Sequence, residues 1–319
     1  MHRSICRDAA CICREIWRKF WLPSGGSEPL RQKYPRKECI NMADWNLIAK
    51  KFKEADAILI GASNGLSITE GLHLFADNGA FEELFGDFKR KYGLRCILQG
   101  MMARWPSEEE KWAFWARLIH RYCGQYRPTP VMEDLKAIVG NKDYFVLTSN
   151  GECHFELCGF DPEKIYEIEG SWLTMQCARP CHNTRYPSLE LAEKLDAAER
   201  GGRVPAQLLP RCPQCGGPMD IHMAAGERMI PDDAAQARFQ NFLDTCHGNK
   251  LVVLELGIGW RNQLIKAPLM RLVANEPNAA YVTINLGEVY IADNIRERSF
   301  GLDGRLDELL PVLREVCET

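Results

Sequence analysis

Four cysteines carry the sharpest chemical signal in this chain. Cys177-x3-Cys181 and Cys212-x2-Cys215 are two short-spaced pairs with thirty residues between them. Short spacing lets both sulfurs of a pair reach one ion, and two pairs complete a tetrahedral thiolate set, which selects zinc. Pro213 and Gly216-Gly217 give the second pair the tight turn of a zinc knuckle. An all-thiolate site is closed to substrate, so one structural Zn2+ is expected rather than a catalytic one. His182, beside Cys181, is either a substitute ligand or a surface residue. The other cysteines, Cys11-Ile12-Cys13 included, lack ligand spacing and fit a reducing compartment better than a disulfide framework.

A second group lies just upstream. Thr148, Asn150 and Glu152 form a polar loop after a buried-strand pattern, and a further strand is expected to end in Glu169-Gly170-Ser171. Polar residues on strand ends beside a zinc-stapled module suit an enzyme that cleaves a bound cofactor. Gly61-Ala62-Ser63-Asn64-Gly65 is a candidate phosphate cradle, because backbone N–H groups at a helix start favour anions. Many turns of this kind are purely steric. Gly257-Ile258-Gly259 and Asn285-Leu286-Gly287 follow two later strands. Three such loops at the ends of parallel strands converge on one sheet edge, which favours a dinucleotide.

The elements that must position these residues alternate. Asp56–Gly61 reads as a strand, followed by a glycine-containing turn and a helix from Ser67. Ser107-x-x-Glu110 is a capping box that starts a helix running to about Tyr122, whose Trp and Phe residues suit packing. Strands are expected at 144–147, 165–168, 251–256 and 281–285, with helices at 189–200, 233–246, 263–275 and 306–316. This rhythm predicts an α/β, Rossmann-like, doubly wound parallel sheet. Residues 172–230 break it and read as an inserted zinc-binding module between the sheet-forming parts, 42–171 and 231–319.

Bulk properties narrow the classes. A formal charge of −3 gives no reason to expect nucleic acid or a membrane surface as partner. No apolar run approaches the roughly 18 residues a spanning helix needs. Residues 1–41 differ from the rest: the first forty carry nine Lys/Arg against four Asp/Glu. They read as a disordered extension, as a segment upstream of a true start at Met42, or as a transit peptide. A cytoplasmic protein is expected, with organelle targeting by residues 1–40 as the alternative.

In order, GASNGLSITEG, TSNGECHFELCGF, EGS, the paired cysteines, LELGIG and INLGE resemble the sirtuins, from Asp44 to the C-terminus. QCARPCHNTRY, PRCPQCGGPM and YVTINLGEVYIADNIRERSF are similar to the class M, macrodomain-linked branch. The resemblance implies NAD+ in a cleft between the sheet domain and the zinc module. By motif, Gly61, Ala62, Ser63 and Gly65 would flank the phosphates, with Ser67 close by. Asn150 would lie near the nicotinamide ribose. Glu152 replaces an aspartate that holds the nicotinamide amide. Gly257 and Ile258 would lie near ribose and phosphates, and Asn285 with Leu286 at the adenosine ribose.

The departures matter as much. Deacylating members carry a histidine where this chain has Glu169. That histidine is the base for a ribose hydroxyl. Class M members usually carry glutamine there. The segment that pairs with acyl-lysine peptides is not matched by ERMIPDD, and the usual Pro-Asp-Phe-Arg reads His73-Leu74-Phe75-Ala76. The resemblance therefore implies NAD-dependent protein ADP-ribosyltransfer, with Asn150, Glu152 and Glu169 as the reacting centre. Its implied acceptor is a lipoylated carrier like the glycine-cleavage H protein, and a macrodomain hydrolase would reverse the modification. A lysine deacylase, an NADase and a non-catalytic NAD-sensing module are the alternatives. Glu169 could stabilise positive charge on the ribose as nicotinamide leaves, hold its hydroxyls, or act as general base. It could also be a solvated carboxylate at a strand end. Cys153 is either a redox-sensitive thiol or a small buried residue. Trp172 is expected to pack at the module junction.

Overall fold

The computed structural model describes residues 45–224 and 228–318. The basic extension at residues 1–41 and Cys11-Ile12-Cys13 lie outside the described residues.

Six parallel strands form the main sheet. They are β1 (Ala57–Ala62), β2 (Asp143–Thr148), β3 (Ile165–Glu167), β7 (Leu251–Leu256), β8 (Ala280–Asn285) and β9 (Ser299–Asp303), in the order β3-β2-β1-β7-β8-β9. Between them in sequence, β4 (Gly170–Cys177), β5 (Tyr186–Pro187) and β6 (Met219–Met223) form a small antiparallel sheet ordered β5-β4-β6. Every residue of β1 and β7 is buried, as expected for apolar runs in a sheet covered on both faces. The two-residue period divides β1 between two cores. Ile58 and Ile60 pack with the helices Trp45–Glu54, Pro130–Val139 and Leu306–Glu318. Ala57 and Leu59 pack with Asp233–Cys246 and Gln263–Asn275. The doubly wound sheet read from the sequence is the fold observed.

A third core joins the helical segment to the small sheet. The Ser107 hydroxyl accepts from the Glu110 N–H at 3.3 Å, the N-cap half of the expected capping box, and donates to the Glu110 carboxylate at 3.1 Å. The helix it starts, Glu108–Ile119, stops earlier than expected and widens into a π-turn at His120–Gly124. Its aromatics do pack: Phe114 stacks on Phe85 at 4.4 Å, and Trp115 meets Trp172 edge-on at 5.9 Å. Trp172 thus sits at the module junction, as the sequence suggested.

One boundary needs correcting. The strand expected to end in Glu169-Gly170-Ser171 stops at Glu167, and Gly170 opens β4 instead. Gly170 has φ of +95°, and a Cβ there would come 2.3 Å from the His222 carbonyl oxygen. The chain therefore turns sharply from one sheet into the other, with Glu169 in the turn. The edge strand β9 and the helices Trp45–Glu54 and Gly79–Tyr92 had no counterpart in the sequence reading.

Candidate active site

β1 is flanked by β2 on one side and β7 on the other, so the connections leave it in opposite directions. Ligands of open α/β sheets bind at the carboxyl ends of such a switch point. Backbone bonds stitch the loops there together. Ser63 N–H donates to Leu256 O at 3.3 Å, Gly65 N–H to Gly257 O at 2.9 Å, Ser149 N–H to Ala62 O at 3.3 Å, and Gly257 N–H to Ile284 O at 2.9 Å. The convergence of loops expected from the sequence is thus a hydrogen-bonded fact.

The side chains continue the pattern. The Asn150 amide donates to the Ser63 carbonyl at 3.2 Å, and the Thr148 hydroxyl to the Ala62 carbonyl at 3.2 Å. The Asn150 Oδ1 is buried with no partner. A buried acceptor left alone is costly, so this atom is built for a donor that arrives with a ligand. A ribose hydroxyl or a carboxamide is such a donor, which fits NAD+. Glu152, 2% exposed, accepts a hydrogen bond from the Ser67 hydroxyl. Asn285 donates to the carbonyls of Ile258 at 3.3 Å and Glu288 at 3.1 Å, tying the loops after β7 and β8. Leu286 is exposed, whereas the Ile258 side chain lies in the core. Gly61 sits inside β1 beneath Leu269, so helix packing accounts for its missing side chain.

Glu169 reaches this cluster through its neighbours. Trp172 N–H donates to Gly151 O at 2.7 Å, and the Cys153 sulfur lies 3.0 Å from the Ser171 hydroxyl. The turn that carries Glu169 is therefore laced to the loop that carries Asn150 and Glu152. Desolvation by the surrounding protein raises the Glu169 carboxyl to about 7, although its surface stays open to solvent. Contact with water on its open side moderates that shift. Two residues earlier, burial raises Glu167 to about 8, opposed by hydrogen bonds from Cys153 and Ser171.

Sequence reasoning missed several members. Asn262 donates to the Ser63 hydroxyl at 2.8 Å and to the Ser149 hydroxyl at 3.0 Å. Glu167 precedes Glu169 by two positions, a spacing that was visible. Beneath the loops, buried Glu255 and Lys266 form an ion pair, and the carboxylate also accepts from Tyr281 and from Thr283 at 2.8 Å. The lone Glu inside an apolar strand was the available signal. Cys153 is 2% exposed and burial pushes its thiol up, which argues against an easily oxidised thiolate. A separate cavity of about 210 Å³ is lined in part by Arg117, His120 and Asp196. Asp87 and Glu199 already engage Arg117, and Asp196 engages His120, so the charged groups of this cavity are paired within the fold.

The cysteines meet at the far end of the small sheet. The four sulfurs lie within 4.8 Å of one another, with Cys177–Cys215 and Cys181–Cys212 each at 3.6 Å. A Zn–S bond of about 2.3 Å gives a tetrahedral edge of about 3.8 Å, so the set fits zinc. The knuckle is closed by Cys212 N–H to Gly217 O and Gly216 N–H to Cys212 O, both at 2.8 Å. Burial opposes ionisation of Cys177, but the backbone N–H groups of Cys181 and Arg179 outweigh it and draw the thiol down. His182 lies 3.0 Å from the Cys181 sulfur and 2.8 Å from the Tyr186 hydroxyl, a neighbour to the four-sulfur set.

No family model matches the chain. It is 32% identical over 265 residues to a protein ADP-ribosyltransferase of Staphylococcus aureus, covering 81% of this chain and 82% of that one. A probable bifunctional ADP-ribose hydrolase/ADP-ribosyltransferase of Fusarium oxysporum is 29% identical over 67% of this chain, which spans 37% of that relative. An NAD-dependent protein deacylase 2 of Pseudomonas aeruginosa is 25% identical over 60% of this chain and 69% of its own. Among solved structures, a Sir2 homologue in complex with NAD superposes with a TM-score of 0.60 at 17% identity, over 85% of this chain and 93% of that one. A mutant Sir2 homologue in complex with ADP-ribose gives 0.57 at 15% identity, over 85% and 96%. With this fold, these strand-end loops and a relative this similar over most of both chains, the protein belongs to the sirtuin family.

Proposed function

We propose that the protein is an NAD+-dependent protein ADP-ribosyltransferase of the class M branch. The observation that carries this reading is Glu169, a carboxylate at the position where deacylating sirtuins need a histidine, in a turn laced to the Asn150–Glu152 loop. The similarity to a protein ADP-ribosyltransferase supports it. The domain division follows: 42–171 and 231–319 hold the dinucleotide, and 172–230 form the zinc module.

In this reading NAD+ is the substrate, and its bond between nicotinamide and ribose C1′ breaks with the electron pair leaving on nicotinamide. Gly61, Ala62, Ser63, Gly65 and Ser67 lie along the phosphates. Gly257 and Ile258 lie near the ribose and phosphates, and Asn285 with Leu286 at the adenosine ribose. Asn150 presents its unpartnered Oδ1 to a ribose hydroxyl. Glu152, held by Ser67, accepts from the nicotinamide amide. Glu169 opposes positive charge developing at C1′ and takes the proton from the acceptor side chain as it bonds to that carbon. The four cysteines hold one zinc that shapes the module and takes no part in the chemistry. The acceptor is a lipoylated carrier resembling the glycine-cleavage H protein. A macrodomain hydrolase reverses the modification, and a relative named as both hydrolase and transferase is consistent with that pairing. The protein acts in the cytoplasm. Among the described residues, no helix is long and apolar enough to cross a membrane.

The test is NAD+ labelled in its ADP-ribose, offered with the carrier in lipoylated and unlipoylated forms. Protein-bound label with equimolar nicotinamide, lost in Asn150→Ala and Glu169→Ala, is the expected result. O-acyl-ADP-ribose from an acylated peptide would make it a deacylase. Free ADP-ribose alone would make it an NADase, and binding without nicotinamide release a sensing module.

A further inference from the structure

We propose that Cys153 is a positioning residue whose thiol fastens the loop carrying Asn150 and Glu152 to the turn carrying Glu169. Its catalytic consequence rests on the transferase reading above. Cys153 is the only non-glycine residue with positive φ among the described residues, at +63°. A side chain in that region is strained and persists where surrounding contacts over-determine it. Two contacts of that kind hold Cys153. The Cys153 sulfur lies 3.1 Å from the Gly151 carbonyl and 3.0 Å from the Ser171 hydroxyl. The thiol has one hydrogen, which goes to the Gly151 carbonyl, so the Ser171 hydroxyl donates to the sulfur.

The left-handed turn does more than place one sulfur. It sends Cys153 toward Ser171 while its successor His154 faces the Tyr122 carbonyl at 2.9 Å and stacks on Tyr126. The loop is thereby gripped from both sides. On the far side, Trp172 N–H donates to Gly151 O at 2.7 Å, and a Cβ on Gly151 would come 2.8 Å from the Trp172 indole nitrogen. Glycine at 151 and the left-handed cysteine at 153 serve the same seam. Cys153 is nearly inaccessible, so its place in this seam is not that of a nucleophile.

The experiment is a double-mutant cycle on nicotinamide release from NAD+, with folding checked by circular dichroism. Cys153→Ala and Ser171→Ala should each lower kcat roughly tenfold to a hundredfold, with KM for NAD+ little changed, because a misplacement of about 1 Å suffices for such losses. The double variant should lose no more than the worse single, since the two side chains make one contact. Cys153→Ser, which keeps a donor and acceptor at the position, should restore most of kcat. A wild-type kcat in Cys153→Ala, or losses that multiply in the double variant, would overturn the proposal. Amide hydrogen exchange provides a readout that does not depend on catalysis. Exchange at residues 150–153 and at Trp172 should quicken in Cys153→Ala and Ser171→Ala but not in Cys153→Ser. If the wild type releases no nicotinamide, the transferase reading fails by itself. Unchanged exchange in Cys153→Ala would then still refute the clamp.

Discussion

Gly65 and Gly257 touch backbone to backbone. The Gly65 N–H donates to the Gly257 carbonyl at 2.9 Å, and a Cβ on Gly65 would lie 2.4 Å from the Gly257 Cα. Main chain cannot step aside as a flexible side chain can. Gly65→Ala should therefore spread the loops after β1 and β7. A destabilisation of about 1–3 kcal/mol is expected from such overpacking. NAD+ binding should weaken with it, since both loops line the same edge. Thermal unfolding and an NAD+ titration read the two effects, and an unchanged Tm would show that the contact relaxes freely.

Glu169 should give the enzyme a pH signature. Desolvation raises its carboxyl from the usual range to about 7, so it keeps its proton to higher pH than an ordinary glutamate. With the carboxylate as the working form, nicotinamide release rises with pH over a range above that of an ordinary glutamate and levels off once the carboxyl is ionised. Glu169→Gln cannot titrate and should lose that inflection. Glu169→Ala should lose roughly 10²–10⁴ of the rate, the usual worth of a positioned base. Equal profiles for wild type and Glu169→Gln would remove the carboxylate from the rate-determining step.

The Glu255–Lys266 pair makes a prediction about stability alone. Both side chains are fully buried, and Tyr281 and Thr283 satisfy the remaining carboxylate positions. Lys266→Met leaves a buried carboxylate unpaired, which should cost about 3–5 kcal/mol. Adding Glu255→Gln should recover part of that loss, because the stranded charge is gone. Urea unfolding of the two variants decides it, and equal stability of both would mean that the charge is not the cause.

Zinc should be bound near one per chain and should hold the module together. Chelation with thiol oxidation, or Cys212→Ser, should lower Tm and loosen β4 to β6, because metal binding energy is folding energy in such sites. Nicotinamide release should fall as a consequence, since β4 begins at Gly170, beside Glu169. Metal analysis and unfolding check this. Full stability in a metal-free preparation would exclude the structural role.

Much of this was readable from the chain. Strands 251–256 and helices 233–246 and 263–275 have the expected bounds because their patterns are long and bracketed by polar turns. Edge strand β9, five residues long and mostly half-exposed, lacks the apolar run that betrays a central strand. The helix expected from Ser67 starts at Asn64, since the Ser63 backbone is already extended and the chain turns there. Glu167, half-buried at the end of β3, escaped notice because a carboxylate in a sequence carries no mark of its surroundings.

Spacing and motif order in the chain were enough to pick out the four cysteines that meet, the alternation of strands and helices, and the family. Each depends on local spacing or on ordered short motifs, which survive without knowledge of the fold. What surrounds each side chain came from the folded chain alone. It put Glu169 in the turn between two sheets rather than on a strand, because the His222 carbonyl leaves no room for a side chain at Gly170. It left Asn150 Oδ1 without a partner, bound Ser67 to Glu152 across 85 positions, and turned Cys153 toward Ser171. Burial, hydrogen bonding and pKa depend on atoms brought from distant parts of the chain, and no local pattern encodes them.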